Sequence, residues 1–133
     1  MEIEFGFRKE ASSIFGDIFR PVAKITIING EIESDELVYV DSGADVTLIS
    51  RSVGEYLGFK IEDSEKIQDI KGVGGKAIQI LIKNAKIRIG NTTADARVAW
   101  SLVEDVPLLL GRIDVFNLFD VIFRKNSCTI FKK

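Results

Sequence analysis

Histidine is absent from the 133 residues of this chain, and cysteine occurs once, at Cys128. The missing imidazole is the usual general base for serine and cysteine nucleophiles near neutral pH, so any proton transfer falls to carboxylates or lysines. One thiol makes no internal disulfide and, without histidine, no zinc site of the Cys/His kind; neither a metal nor another cofactor is expected. A surplus of positive charge is missing too. Eighteen Lys and Arg face 20 Asp and Glu, for a formal net charge of -2, and no basic stripe suits a phosphate backbone, so nucleic acid is not an expected partner. Apolar runs such as 37–40 and 78–82 are strand-length, against the about 18 residues that cross a bilayer. The start, Met1-Glu2-Ile3-Glu4, lacks the basic and apolar regions of a secretory signal. These absences predict a soluble protein without membrane contact, cytoplasmic by default.

What is present is enough apolar material for one core. At 46% hydrophobic content the chain fills a single domain and is too short for two of ordinary size. Most of it alternates apolar and polar residues at period two, in short runs broken by Gly, Asn, Asp and Ser, which predicts a mainly β fold. The runs fall at 3–7, 22–28, 37–40, 46–49, 76–82, 85–89, 94–100 and 108–110, with a final pair inside 121–131. Asn29-Gly30 and Gly90-Asn91 mark turns. Ser50 before residues 51–57, with Gly58 after them, reads as a capped short helix; 114–119 has the spacing for a second. Residues 9–19 read equally as helix or loop.

The segment most suggestive of chemistry is Leu37-Val38-Tyr39-Val40-Asp41-Ser42-Gly43-Ala44-Asp45-Val46-Thr47-Leu48-Ile49, a polar loop between two apolar strands. A carboxylate there depends on nearby donors to hold its charge. Gly43 lets the backbone turn tightly and approach a ligand, and the Ser42 hydroxyl donates and accepts at once. Taken alone, Asp-Ser-Gly reads as well as an ordinary β-turn. Period two places Tyr39 on the same side of its strand as Asp41, to line a cleft or to pack in the core.

Asp41-Ser42-Gly43-Ala44-Asp45 resembles the active-site loop of the retropepsins, the retroviral-type aspartic proteases. Lys71-Gly72-Val73-Gly74-Gly75 resembles the tip of that family's flap hairpin, with Lys71 where many viral flaps carry glycine. Leu109-Leu110-Gly111-Arg112 resembles the strand and Gly-Arg before its C-terminal helix, and Arg20-Pro21 an Arg-Pro near the start of the viral enzymes. The helix after Ser50 and the segment before Arg20 look more like cellular or prokaryotic single-domain members than compact viral ones.

The resemblance implies a closed retropepsin β-barrel with a flap and one or two short helices, formed by residues 20–133 behind an extension at 1–19. It implies an aspartic endopeptidase with Asp41 as the catalytic residue and Ser42 and Gly43 supporting the loop. Gly43, Ala44, Asp45, Tyr39, Gly72, Val73 and Gly74 would contact an extended peptide, with apolar subsites from Val106, Pro107 and Leu109. Asp45 would pair with Arg112, or with Arg20 of a second subunit. No other aspartate here is followed by Ser or Thr and then Gly, so the second carboxylate of the pair would come from a homodimer partner, through interleaved terminal strands. A retropepsin-fold module that dimerises or binds peptides without cleaving them, and an unrelated small β-barrel, are the alternatives.

Overall fold

Period-two alternation dictates strands that bury one face, and the computed structural model, which describes residues 1–72 and 74–133, has them in nearly every such run. Val73 lies outside the described residues. The first elements are β1 (Glu2–Gly6), β2 (Arg8–Ser12), β3 (Gly16–Arg20), β4 (Val22–Asn29), β5 (Ile32–Val40), β6 (Thr47–Ile49) and α1 (Arg51–Tyr56). They are followed by β7 (Gln68–Lys71), β8 (Ala77–Ile89), β9 (Thr92–Ser101), β10 (Leu109–Leu110), β11 (Asp120–Arg124) and β12 (Cys128–Lys132).

Six strands close into a barrel in the order β4, β5, β10, β6, β9, β8, and β8 returns to β4 through Ile27 opposite Ile87. Closure leaves the ring no unpaired edge. The β5–β10 and β6–β9 pairs are parallel and the others antiparallel. Ala23, Ile25 and Ile27 of β4, Val38 and Val40 of β5, and Val98 and Trp100 of β9 fill the interior. β7 pairs with the start of β8 outside the ring, forming the flap hairpin whose tip begins after Lys71.

Helix α1 begins where Ser50 caps it, its hydroxyl accepting from the Val53 N–H, and is followed by Gly58 at φ +84°. The helix lies on Trp100, whose Nε1 donates to the Arg51 carbonyl at 3.1 Å. Gly54 permits that contact: a Cβ there would sit 2.1 Å from Trp100 Nε1.

Three sequence expectations need correction. Segments 76–82 and 85–89 are one strand, β8, because Lys83 and Asn84 stay in the ladder opposite Val98 and Arg97; the Lys83 ammonium is satisfied by the Lys60 carbonyl at 2.6 Å and by Glu65. Residues 114–119 form successive turns and no helix. Asp114 sits at φ +67°, a left-handed conformation that interrupts an α-helix, and its carboxylate accepts from Arg97 N and Nε at 3.0 and 2.8 Å. Residues 9–19 are neither helix nor loop: β2 and β3 pair as an antiparallel hairpin, Arg8 opposite Arg20 and Ser12 opposite Gly16.

The chain ends form a second sheet, β1-β12-β11. Residues 2–6 of the expected extension are thus tied to the C-terminal strand, Glu2 opposite Lys132 and Gly6 opposite Cys128. Both edges of β12 are filled from its own chain, so a partner strand could add to this sheet without displacement only at β1 or β11. No helix among the described residues is long and apolar enough to cross a membrane.

Candidate active site

Strand β5 runs through the barrel wall and delivers Asp41 at its end. Its last residues are fixed from both sides: Val40 N donates to Pro21 O at 3.0 Å, while Tyr39 N and Asp41 N donate to Leu108 O and Leu110 O at 2.9 and 3.1 Å. The loop then turns back on itself. Gly43 N donates to Asp41 Oδ1 at 2.9 Å and Ala44 N to Asp41 O at 3.2 Å. Asp41 is half-buried, and Ser42 and Gly43 are exposed. A Cβ on Gly43 would stand 3.3 Å from Asp41 Oδ1, so the glycine serves the close approach of backbone to carboxylate.

The far side of the loop is bolted to the chain after β10. Arg112 N donates to Ala44 O at 3.0 Å and Ile113 N to Asp45 O at 2.7 Å. Beneath these bonds Gly111 N donates to Thr47 Oγ1 at 3.1 Å, within a fully buried contact. A Cβ on Gly111 would lie 2.4 Å from the Val46 carbonyl carbon. Thr47 was not among the residues singled out from the sequence. Its one signal is a hydroxyl inside the apolar run Val46–Ile49, where a buried polar group must have a partner.

The other candidates fall into three groups. Val106 and Leu109 come together with Ile70 and Ile78 of the flap around buried Leu48, Ile80 and Ala99, a small apolar cluster separate from the main core. The loop carrying Val106 and the exposed Pro107 is held by Ser52, whose hydroxyl and N–H donate to Glu104 at 2.6 and 2.8 Å and keep that carboxyl below its ordinary range. In the flap, Gly72 O accepts from Gly75 N at 3.2 Å, and Gly74 and Gly75 adopt φ of +99° and +76°, conformations that favour glycine. Among the described residues no ion pair joins Asp45 to Arg112; the Arg112 guanidinium lies over the Phe116 ring, 5.3 Å from its centre, and the two segments are linked by the backbone bonds and the Thr47 hydroxyl instead.

Tyr39 and Arg20 belong to a cluster not foreseen from the sequence. The Tyr39 hydroxyl donates to Glu10 Oε2 at 2.6 Å, Arg20 Nε donates to Glu10 Oε1 at 3.0 Å, and Arg8 bonds both Glu10 and the Tyr39 hydroxyl. The hydrogen bond from Tyr39, reinforced by Arg8, holds the Glu10 carboxyl below its usual range, and the same bond together with burial raises the Tyr39 hydroxyl. Arg20 therefore spends its Nε on its own chain.

The structure thus sets a polar loop bearing the half-buried Asp41 between two apolar strands of a closed barrel with a flap. An aspartyl protease family model matches residues 24–112, from β4 to Arg112. Among solved structures, the EIAV protease complexed with the inhibitor HBY-793 is similar, with a TM-score of 0.57 and 22% identity over 74% of this chain and 86% of that one. At that identity the likeness speaks for the fold, which is retropepsin-like. No curated protein matches the sequence significantly. On the family match, the chain belongs to the aspartyl protease family.

Proposed function

We propose that this protein is a homodimeric aspartic endopeptidase, with water activated between two Asp41 carboxylates, one per subunit. The observation that carries the reading is the Asp41 loop, which presents one half-buried carboxylate, held at Oδ1 by Gly43 N, next to the exposed Ser42 and Gly43. Amide hydrolysis by carboxylates needs a base and an acid together. One chain has one such loop, and a two-fold axis through it supplies the second.

As is general for aspartic proteases, the pair shares one proton. The ionised carboxylate takes a proton from the water as its oxygen attacks the scissile carbonyl; the protonated one donates to the carbonyl oxygen. As the gem-diol intermediate collapses, one of its hydroxyls returns a proton to the ionised carboxylate, the C–N bond breaks and the leaving nitrogen takes the proton of the other carboxyl, so the pair is left with one shared proton. Ser42 hydroxyls would tie the two loops across the axis. The backbone of Gly43, Ala44 and Asp45 would bind an extended peptide beneath the flap glycines Gly72 and Gly74. The apolar cluster of Val106, Leu109, Ile70 and Ile78 favours hydrophobic side chains beside the cleaved bond. We assign this machinery to residues 20–133.

Obligatory pairing makes activity depend on protein concentration. Cleavage of an unstructured protein at mildly acidic pH is expected to show a constant specific activity at high concentration. Once sedimentation shows dissociation, the specific activity should fall in proportion to the dimer fraction. Undiminished specific activity in a solution of monomers would contradict the reading.

A further inference from the structure

We propose that the β2–β3 hairpin is a docking arm whose apolar tip, Ile14 and Phe15, packs on a second copy of this chain in the active dimer. The inference rests on the dimeric reading above and extends it to an element outside the matched residues 24–112.

The hairpin is a separate two-stranded sheet, hydrogen-bonded in its ladder to neither the barrel nor the terminal sheet. Such a pair is marginally stable alone. Its tip is nevertheless ordered: the Ser12 hydroxyl accepts from Ile14 N and Phe15 N, both at 3.2 Å, and Gly16 completes the turn at φ +71°. This built turn leaves Ile14 79% and Phe15 78% exposed, with Phe19 behind them at 47%. Two large apolar side chains adjacent at a fixed tip form a small hydrophobic patch without a covering surface in the single chain.

The base of the arm indicates what covers it. Glu10 grips the Tyr39 hydroxyl at 2.6 Å, and Tyr39 precedes Asp41 by two residues. The arm is therefore anchored beside the loop that a two-fold axis would duplicate, and its five-residue strands reach about 16 Å outward. A specific dimer buries about 800 Å² on each partner, far more than two five-residue loops provide. The C-terminal strand offers no free edge, since β1 and β11 of the same chain occupy both sides of it. Beyond whatever the outer edges of β1 and β11 contribute, the exposed apolar tip of the arm, anchored beside the loop, supplies contact area there.

The test is sedimentation equilibrium of the parent protein and of an Ile14→Ser, Phe15→Ser double variant, with peptide cleavage measured on both. The exposed tip leaves the fold intact, which circular dichroism checks. The dimer dissociation constant is expected to rise about tenfold or more, as for loss of central apolar anchors, with kcat and KM unchanged at concentrations that restore the dimer. In the parent, amide exchange at residues 13–16 should slow as concentration drives dimerisation. An unchanged dissociation constant with a dimeric parent overturns the arm alone; a raised KM at that unchanged constant would place the tip over substrate. A parent that stays monomeric at all concentrations overturns the dimeric reading and the arm with it.

Discussion

Replacing Asp41 with Asn is expected to abolish peptide hydrolysis while leaving the fold in place. In the proposed homodimer the substitution removes both carboxylates, and with them both the base and the acid. General acid and base contributions are each worth about 10²–10⁴-fold, so kcat should fall by about 10⁴-fold or more. Stability should hardly change. Among the described residues, the Asp41 carboxylate accepts one hydrogen bond, from Gly43 N at 2.9 Å, and an Asn carbonyl oxygen accepts it equally. Urea unfolding should therefore agree with the parent within about 0.5 kcal/mol, the range for sites without buried partners. Residual cleavage equal to the parent would mean that another group, or a contaminant, does the chemistry.

Gly111→Ala should do the reverse, damaging the scaffold first and activity as a consequence. The added methyl would lie 2.4, 2.5 and 2.8 Å from the C, O and N atoms of Val46. Those are backbone atoms of the chain entering β6, which no rotamer change can move aside. Overpacking of this kind costs about 3 kcal/mol, a large part of the stability of an ordinary domain. To relieve the clash, the 110–113 segment must separate from the 44–47 segment, which strains the bonds from Gly111 N to Thr47 Oγ1 and from Arg112 N to Ala44 O. A shift of about 1 Å at a reacting group costs about 10²-fold in rate. Denaturant titration combined with peptide cleavage checks both effects; a variant as stable and active as the parent would show that the two segments are not rigidly coupled.

The parts of this molecule that could be read from the sequence are those whose signal is local. Strand β4 and the first half of β9 alternate more and less buried residues, and Ser50 and Gly58 bracket α1 by capping chemistry confined to one turn. Asp41-Ser42-Gly43 stands out because a polar loop interrupts two apolar strands. What was misread depends on distant partners. Asp114 leaves the helical region while binding Arg97, 17 residues away, and the spacing of 114–119 contains no hint of it. Lys83 and Asn84 look like a break between strands until Glu65 and the Lys60 carbonyl are brought to the lysine. Thr47 meets Gly111 across 64 residues. The β2–β3 hairpin was illegible for another reason: its strands lack a buried face, so the alternation that marks the barrel strands is weak, and its turn carries Ile14 and Phe15 where polar residues are usual. Arg20, the alternative partner for Asp45 of a second subunit, also donates from Nε to Glu10 of that same hairpin, a contact its sequence neighbours do not indicate.

The most direct test of the paired carboxylates is a mixing experiment. Parent chain and Asp41→Asn chain are unfolded together in equal amounts and refolded, so that the two kinds of subunit assort at random. If each active site needs an Asp41 from both copies, only parent–parent dimers cleave, and about one quarter of the activity of an all-parent sample at the same total concentration should remain. Retention of about one half would mean that each chain works with its own aspartate alone, contradicting the shared site.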